Sequence, residues 1–471
     1  MAQKEVAVIG AGAAGLTAAI TAARGGARVT LLNAHPRIGL KILMSGGTRC
    51  NVTHREVSER DFNGGSRPFV ARVLRAFTPE QTRAWFESMG VELKLEETGK
   101  YFPVSNDAQT VLDALLDAAR EGGVEIQSGA RVVRLERRED AEANQKDEAR
   151  ATGEGMPEAP FAHEAVEATG DSETSTGARY RLGIQKVKTA AVFGGQVMRR
   201  GEQHWPLPQA HADRWLEADA VVIASGGLSF PRTGSDGTGY ALVTALGHTL
   251  EPPVPALTPL SSDDSLCRAA QGLTLNVELT LRVNGRVAQT IAGSMVIAHF
   301  GYSGPAALDL SRHWLRAEGE ERRVTASFVP GNAPEALLAE WIDAATNAPQ
   351  RTARRHLALH LPERLAERLC EEASVDPAAQ VSQVSREKRG MLIERLTARD
   401  LGVIGTLGYE KAEVTAGGVR LSEVNPSTLE SRVSPGLYLC GEILDVEGRL
   451  GGFNFQWAWS SGTVAGRGAA R

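Results

Sequence analysis

The stretch VAVIGAGAAG, residues 6–15, decides the fold of this chain. Its apolar start predicts a buried strand, its glycines open a helix, and ARVTLL, residues 27–32, predicts a second strand. Gly10 permits the tight turn, Gly12 lets a pyrophosphate approach the backbone, and Gly15 lets helix and strand pack closely. The N-terminus of the helix attracts the anion. The unit therefore predicts a doubly wound, Rossmann-like α/β domain that binds a dinucleotide.

The residue after the second strand is Asn33, at a position where such units usually carry Asp or Glu to hold the ribose hydroxyls. An amide can still hydrogen-bond a hydroxyl, but it has no charge to repel a 2′-phosphate. Arg37 and Lys41 follow within the next eight residues. This position alone therefore leaves a phosphorylated nicotinamide nucleotide open as the ligand.

Two later segments favour a flavin over a nicotinamide. ASGG, residues 224–227, follows a predicted buried strand, and residues 436–466 predict a strand, a turn at Gly441 and Glu442, and a helix. Glu442 is placed to hold a ribityl or ribose hydroxyl. The N-terminus of the helix can direct its positive end at an isoalloxazine, where negative charge builds on reduction. Both segments suit FAD, because its ring lies far from its adenosine.

A second G-x-G-x-x-G is not found in the sequence, so a dedicated nicotinamide domain is not predicted. If NAD(P)H donates the hydride, we expect it to bind transiently against the flavin. The flavin would then be reduced by one molecule and reoxidised by another in turn.

The chain resembles the BaiN/RdsA family of NAD(P)/FAD-dependent oxidoreductases. The resemblance spans nearly the whole chain and is most specific in KILMSGGTRCNVTH, residues 41–54, and GGFNFQWA, residues 451–458. It implies a two-dinucleotide-type FAD domain interrupted by an inserted β-rich plus helical domain, and it implies that SGGTRCN and GGFNFQ flank the flavin ring. Two residues depart from the family pattern: Asn33 replaces the usual acid, and Thr48 replaces the third glycine of SGGGRCN.

The pattern and the resemblance together predict the residues that bind the cofactor. They come from the glycine loop, the end of the second strand, SGGTRCN and later strands and turns: Gly10, Gly12, Ala13, Ala14, Gly15, Asn33, Lys41, Ser45, Gly46, Gly47, Arg49, Cys50, Asn51, Val132, Ser225, Gly226, Gly441, Glu442, Gly452, Phe453 and Asn454. For Asn51 and Asn454 the partner is either the cofactor or the loop backbone.

The catalytic residues are unknown at this stage, with three weak candidates. Arg49 either stabilises negative charge on the flavin or substrate, or anchors its loop. Cys50 is either a reactive thiol, favoured by the neighbouring arginine, or a small residue packed at the flavin. His299 either reaches the flavin from the inserted domain or is structural.

The order of the segments predicts three parts. Residues 1–255 form the first FAD-binding segment, with an acidic insertion at about 138–178 whose composition predicts disorder. Residues 256–410 form the inserted β/α domain, in which LTLNVELTLRVNGRVAQT, residues 273–290, predicts a hairpin around an Asn-Gly turn. Residues 411–471 complete the FAD-binding domain.

Composition and charge exclude several classes of protein. The chain is 42% hydrophobic with a net charge of −5, which gives no electrostatic footprint for nucleic acid or for a membrane surface. Its four cysteines are scattered singly, which disfavours disulfides, zinc and a CxxC centre. His356 and His360 have HxxxH spacing without the Glu of HExxH, so no metal site is predicted. The N-terminus lacks a signal-peptide pattern, which favours the cytoplasm. The oligomeric state is left open.

These observations predict an FAD-dependent oxidoreductase. The function expected is NAD(P)H-driven reduction of a small organic substrate, such as one with an activated C=C bond, by hydride transfer through the flavin. One alternative is a flavin-dependent dehydrogenase or oxidase that uses another acceptor. The other alternative is an FAD-binding protein that acts on RNA.

Overall fold

The computed structural model describes residues 3–139, 179–187 and 211–471. Almost all of the predicted acidic insertion, 138–178, lies outside the described residues. The chain divides into two compact units. The first is made of Met1–Pro253 and Gly417–Arg471, and the second of Val254–Ala416. The first unit thus contains both ends of the chain.

The described strands, in chain order, are β1 (Glu5–Ile9), β2 (Arg28–Asn33), β3 (Thr53–His54), β4 (Phe62–Gly64), β5 (Leu93–Leu95), β6 (Lys100–Pro103), β7 (Glu125–Ser128), β8 (Ala130–Arg137), β9 (Tyr180–Lys186), β10 (Arg214–Ala218), β11 (Ala220–Ile223), β12 (Leu250–Ala256), β13 (Leu260–Ser262), β14 (Thr274–Val283), β15 (Arg286–Ala298), β16 (Gly301–Ser303), β17 (Arg322–Ser327), β18 (Arg399–Asp400), β19 (Val403–Thr406), β20 (Val414–Val419), β21 (Leu437–Leu439) and β22 (Val446–Gly448).

The described α-helices are α1 (Ala13–Arg24), α2 (Leu40–Thr48), α3 (Arg67–Ala76), α4 (Pro79–Ser88), α5 (Ala108–Glu121), α6 (Thr238–Ala245), α7 (Leu266–Ala269), α8 (Pro305–Arg316), α9 (Pro334–Asn347), α10 (Ala353–Leu357), α11 (Glu363–Glu372), α12 (Arg386–Thr397) and α13 (Phe453–Ala470).

A five-stranded parallel sheet forms the centre of the first unit, in the order β21-β11-β1-β2-β7. The inner strands β1 and β11 are nearly continuous apolar runs because both faces of a parallel sheet are covered, whereas the edge strand β7 is polar. Residues of β1, β2 and β11 are accordingly buried. Since the strands are parallel, the segments after β1, β2, β11 and β21 emerge at one edge of the sheet, where ligands bind in folds of this kind.

The last helix, α13, packs directly on the first, α1. A Cβ on Gly462 would lie 2.5 Å from the carbonyl oxygen of Ala14, and a Cβ on Gly466 would collide with the carbonyl oxygen of Ala18. The two glycines are four residues apart and therefore lie on one face of α13. Their missing side chains let the two backbones touch, which joins the C-terminal segment to the N-terminal strand–helix–strand unit.

The second unit is built on a seven-stranded sheet in the order β18-β17-β14-β15-β16-β13-β19. The longest pairing is between β14 and β15, and Val283 pairs with Arg286 across a two-residue turn. Asn284 and Gly285 both have positive φ, as a type I′ turn requires. The predicted Asn-Gly hairpin is therefore confirmed.

We predict that Gly466→Ala destabilises the first unit by about 1–3 kcal/mol, because its methyl group has no room against α1. Gly390→Ala is the matched control, since Gly390 also lies within a helix but its added Cβ would meet no atom within 4 Å. That change should be neutral or stabilising by up to about 1 kcal/mol. Chemical denaturation of both variants measures the difference, and equal effects would contradict the packing described here.

Candidate functional site

The three glycines of the first loop have different surroundings. A Cβ on Gly10 would lie 2.5 Å from the carbonyl oxygen of Ala224, and one on Gly15 would collide with the carbonyl oxygen of Gly10. A Cβ on Gly12 would meet nothing within 4 Å. The first and third glycines are thus required by packing, whereas the second leaves open space before the N-terminus of α1. Open space in front of helix N–H groups fits a pyrophosphate.

Asn33 is engaged by the backbone around it. Its Oδ1 accepts a hydrogen bond from the Ala11 N–H at 3.1 Å, and its Nδ2 donates to the carbonyl oxygens of His35 at 2.6 Å and Arg37 at 3.3 Å. A carboxylate could replace the first contact but could not donate in the other two. This loop therefore fits an amide, which gives a physical reason for the missing acid. The predicted contact of Asn33 with the cofactor stays a prediction.

The structure brings two predicted residues together from opposite ends of the chain. Lys41 Nζ lies 2.9 Å from Glu442 Oε2, and both also contact Ser229, whose hydroxyl donates to Glu442 Oε1 at 2.7 Å. Gly441 precedes Glu442 in a turn that α13 holds in place. Trp457 Nε1 of α13 donates to the carbonyl oxygen of Gly441 at 3.1 Å. Ser229 was not predicted from the sequence, because it lies in LSFP after ASGG and belongs to no motif of known chemistry.

The SGGTRCN segment is a tight turn at the end of α2. Its backbone leaves the helical conformation at Ser45, and Gly46, Gly47, Thr48 and Cys50 all have positive φ, between 56° and 68°. Glycine adopts this conformation without cost, but threonine and cysteine do not. The segment therefore holds local strain at two residues, a feature that clusters at functional sites.

Arg49 is anchored on both sides. Its guanidinium forms an ion pair with Glu96 at 2.7 Å and lies over the ring of Phe102, 4.0 Å from the ring centroid. Of the two roles predicted for Arg49, these contacts support anchoring of the loop. Glu96 and Phe102 come from the β5–β6 hairpin, which no sequence motif marked.

Cys50 has surroundings that disfavour the first of its two predicted roles, a reactive thiol, and favour the second, a packed residue. The side chain is completely buried, and burial raises the pKa of its thiol to about 12. The thiol is therefore protonated at neutral pH and lacks the thiolate that a nucleophile requires. Its neighbour Arg49, which the sequence suggested would favour a thiolate, instead pairs with Glu96. Cys50 is a packed residue of the turn.

The two predicted asparagines differ in their partners. Asn454 accepts from the Gly448 N–H and donates to the Gly448 carbonyl oxygen, both at 2.8 Å, so it closes the loop before α13. Asn51 is buried, and its Oδ1 has no hydrogen-bond partner among the described residues. A Cβ on Gly452, immediately before α13, would lie 2.7 Å from that oxygen. A buried acceptor without a partner indicates a missing donor.

Side chains of α13 hold the SGGTRCN segment in place. Trp459 Nε1 donates to the carbonyl oxygen of Val52 at 2.8 Å, and Thr53 donates to Gln456 Oε1 at 2.7 Å. Gln456 is fully buried, and its Nε2 donates to the carbonyl oxygen of Phe77. The implied proximity of SGGTRCN and GGFNFQ is thus present in the structure. Gln456 lies in the quoted motif and Trp459 directly follows it, but neither was recognised from the sequence as a residue that connects the two segments.

The remaining predicted residues lie as follows. Ser45 donates to the carbonyl oxygen of Ile42 at 2.8 Å. Val132 is buried in β8. Ser225 and Gly226 follow β11, and a Cβ on Gly239 would collide with Ser225 Oγ. His299 is exposed between β15 and β16 in the second unit.

These residues fit FAD in three respects. The space at Gly12 can accept the pyrophosphate, the oxygens and ammonium of the Lys41–Ser229–Glu442 group can bind hydroxyls, and the N-terminus of α13 lies beside SGGTRCN, where Gly452 packs on Asn51. All three lie in the first unit. The site therefore has the polar groups that a long dinucleotide with a remote ring requires.

A family model described as "HI0933-like protein Rossmann domain" matches residues 4–178 and 196–468. The chain therefore belongs to the HI0933-like family. This assignment confirms the resemblance noted above, the Rossmann-type FAD-binding fold and the prediction of an FAD-dependent oxidoreductase.

Two relatives are similar over nearly their whole length. The 3-dehydro-bile acid delta(4,6)-reductase of Clostridium scindens is 32% identical over 99% of this chain and 98% of its own. The ribosomal RNA dihydrouridine synthase of Escherichia coli is 30% identical over 96% of this chain and 95% of its own.

Among solved structures, a 3-ketosteroid-delta4-(5alpha)-dehydrogenase from Rhodococcus jostii RHA1 matches with a TM-score of 0.45 and 15% identity, covering 99% of this chain and 97% of that one. A flavocytochrome c3 fumarate reductase matches with a TM-score of 0.42 and 14% identity, covering 99% of this chain and 78% of that one.

The described residues contain neither a metal-binding group nor a membrane-spanning helix. No group of three or more His, Cys, Asp or Glu side chains in the described part of the chain could hold a metal ion. In the same residues, no helix combines the length and the apolar character needed to cross a bilayer.

We predict that Thr48→Gly stabilises the protein without cofactor by about 1 kcal/mol, because glycine removes the penalty of a positive φ. Thr48→Ala is the matched control, since alanine keeps a Cβ in the same conformation. Urea unfolding of the two variants against the wild type measures the effect. Equal stabilities of the glycine and alanine variants would show that the turn is not strained at Thr48.

Proposed function

We propose that this chain reduces a C=C bond conjugated to a carbonyl group in an organic substrate, with FAD as cofactor and NAD(P)H as donor. One observation carries the proposal. The names of the two relatives differ in substrate, but each describes the conversion of a C=C bond to a single bond. The shared chemistry is addition of a hydride and a proton across that bond.

FAD, when bound, supplies the hydride chemistry. We propose that its pyrophosphate binds over Gly12 and its ring binds between SGGTRCN and the N-terminus of α13. The other cofactor-binding residues predicted from the sequence belong to the same proposal. We also propose that the FAD-binding domain corresponds to 1–255 with 411–471, and a substrate-side domain to 256–410, in line with the two compact units.

The chain contributes position and charge to the reaction. The N-terminus of α13 presents N–H groups and the positive end of the helix dipole, which stabilise negative charge. The buried Cys50 thiol is protonated, so it does not supply a thiolate nucleophile. These residues favour reduction at a bound ring over covalent catalysis by the protein.

The family assignment does not specify the hydride donor, so NAD(P)H is part of our proposal. Because the sequence holds no second G-x-G-x-x-G, we expect NADH or NADPH to bind briefly, deliver its hydride and leave before the substrate enters. A cytoplasmic location, where both donors are available, belongs to the same proposal.

A second candidate substrate is a uracil base in RNA. The observation that favours it is the 30% identity to the E. coli ribosomal RNA dihydrouridine synthase. The net charge of −5 favours the small molecule instead, because RNA binding is driven largely by cationic surface. The choice between the two substrates is an outcome of the assay below.

We predict that Gly12→Val weakens FAD binding by at least about 100-fold, because the added side chain fills the proposed pyrophosphate space. Its Cβ meets no protein atom, so the stability of the protein without cofactor should not change. Titration of FAD into the unliganded variant measures the affinity. If Gly12→Val binds FAD as tightly as the wild type, the pyrophosphate does not lie over Gly12.

We predict that NADH or NADPH bleaches the flavin absorbance of the FAD-loaded enzyme under anaerobic conditions. Subsequent addition of a 3-oxo steroid with conjugated Δ4,6 bonds should restore the absorbance and give a product heavier by two hydrogens. Uridine-containing ribosomal RNA is tested in parallel, and reoxidation by RNA alone would select the second candidate. A protein that binds no FAD, or that neither donor reduces, would refute the proposed function.

A further inference from the structure

Lys100 lies at a fixed position next to the proposed ring site. It begins β6, directly after a turn in which the Gly99 N–H donates to the carbonyl oxygen of Glu96 at 2.9 Å. The next residue, Tyr101, accepts from the Val52 N–H at 2.9 Å and pairs with Thr53. The start of β6 is therefore held against the strand that follows SGGTRCN.

The side chain of Lys100 extends to the turn before α13. A Cβ on Gly451 would lie 3.6 Å from Lys100 Cε. Lys100 is half-buried, and no ion pair or hydrogen bond of its ammonium group to another described residue is found. The isoalloxazine was proposed to bind at this same turn, so Lys100 places a positive charge there.

The two neighbouring arginines differ from Lys100 because each has an acidic partner. Arg49 pairs with Glu96 at 2.7 Å, and Arg449 pairs with Asp61 at 2.8 Å. His54, the strand partner of Lys100, lies against carbonyl oxygens and stacks on Phe453. The charge of Lys100 is therefore available for a ligand.

A second unpartnered group lies on the other side of the same turn. Gly451 faces Lys100, and the next residue, Gly452, faces the buried Asn51 Oδ1. The Asn51 oxygen is enclosed by protein, whereas Lys100 is half-exposed, so the group that a ligand can reach at this turn is the Lys100 ammonium. A fitting partner for it is an oxygen or nitrogen that becomes negative, as the C2 carbonyl and N1 of an isoalloxazine do on reduction.

We propose that Lys100 is a cofactor-contacting residue that stabilises the negative charge acquired by the flavin ring on reduction. This inference rests on the proposed function, because it requires FAD at this turn. The ammonium acts together with the positive end of α13, and both favour the reduced ring. Lys100 thereby raises the reduction potential of the bound cofactor.

The test uses the full-length, FAD-loaded enzyme and three variants. Lys100→Met removes the charge, Lys100→Arg keeps it, and Lys186→Met removes one charge from β9 in the same unit as a control. The readouts are the reduction potential of bound FAD, measured by equilibration with a reference dye, and the affinity of sulfite for the flavin. Sulfite binding responds to positive charge near the ring and needs neither donor nor substrate.

We expect Lys100→Met to lower the reduction potential and to weaken sulfite binding by at least about tenfold, as loss of a nearby charge implies. Lys100→Arg should retain most of both properties, and Lys186→Met should match the wild type. A second supporting result is that Lys100→Met releases FAD while the unfolding midpoint of the protein stays unchanged and Lys100→Arg still binds FAD.

Two results would overturn the inference. One is a Lys100→Met enzyme that binds FAD with wild-type potential and sulfite affinity. The other is a variant in which only the KM for the substrate rises, which would place Lys100 at the substrate instead. A wild-type protein that binds no FAD would refute the proposed function itself, and the two failures are therefore distinguishable.

Discussion

The contact between the backbones of α1 and α13 is the constraint on which the first unit depends. Gly462 and Gly466 carry no side chains, so α13 can lie on the helix that opens at the glycine loop. This contact fixes the position of the N-terminus of α13 relative to the N-terminus of α1. Two helix ends that attract negative charge are thereby placed in one unit, and these are the ends proposed to face the pyrophosphate and the ring.

The SGGTRCN turn shows how a strained segment is maintained. Thr48 and Cys50 adopt a backbone conformation that costs each of them free energy, and other interactions must offset that cost. Trp459 and Gln456 of α13 supply hydrogen bonds to the segment that follows, and Glu96 with Phe102 holds Arg49 from the other side. A well-supported turn can keep Asn51 in place without a partner of its own.

The cations around the site differ in whether they have a carboxylate partner. Arg49 and Arg449 each have a carboxylate partner and an aromatic ring, so their charges are balanced within the protein. Lys41 contacts Glu442. Charge in a catalytic site is most useful where it lacks a protein partner, because it can then respond to charge that develops in the reaction. The candidate for this role is therefore Lys100 rather than the conspicuous arginine and cysteine of SGGTRCN.

The sequence by itself determined the strand–helix–strand unit, the close packing at Gly10 and Gly15, the Asn-Gly hairpin and the family, because these depend on local spacing and local backbone conformation. Tertiary structure decided what each polar side chain contacts. Cys50 looked reactive beside an arginine, but burial keeps it protonated. Asn33 looked like a weakened ribose ligand, but carbonyl oxygens of its own loop select the amide. Ser229 and Gln456 could not be found from spacing, because their partners lie far away in the chain. Lys100 could not be found either, because the glycine it lies against, Gly451, is equally remote in the chain.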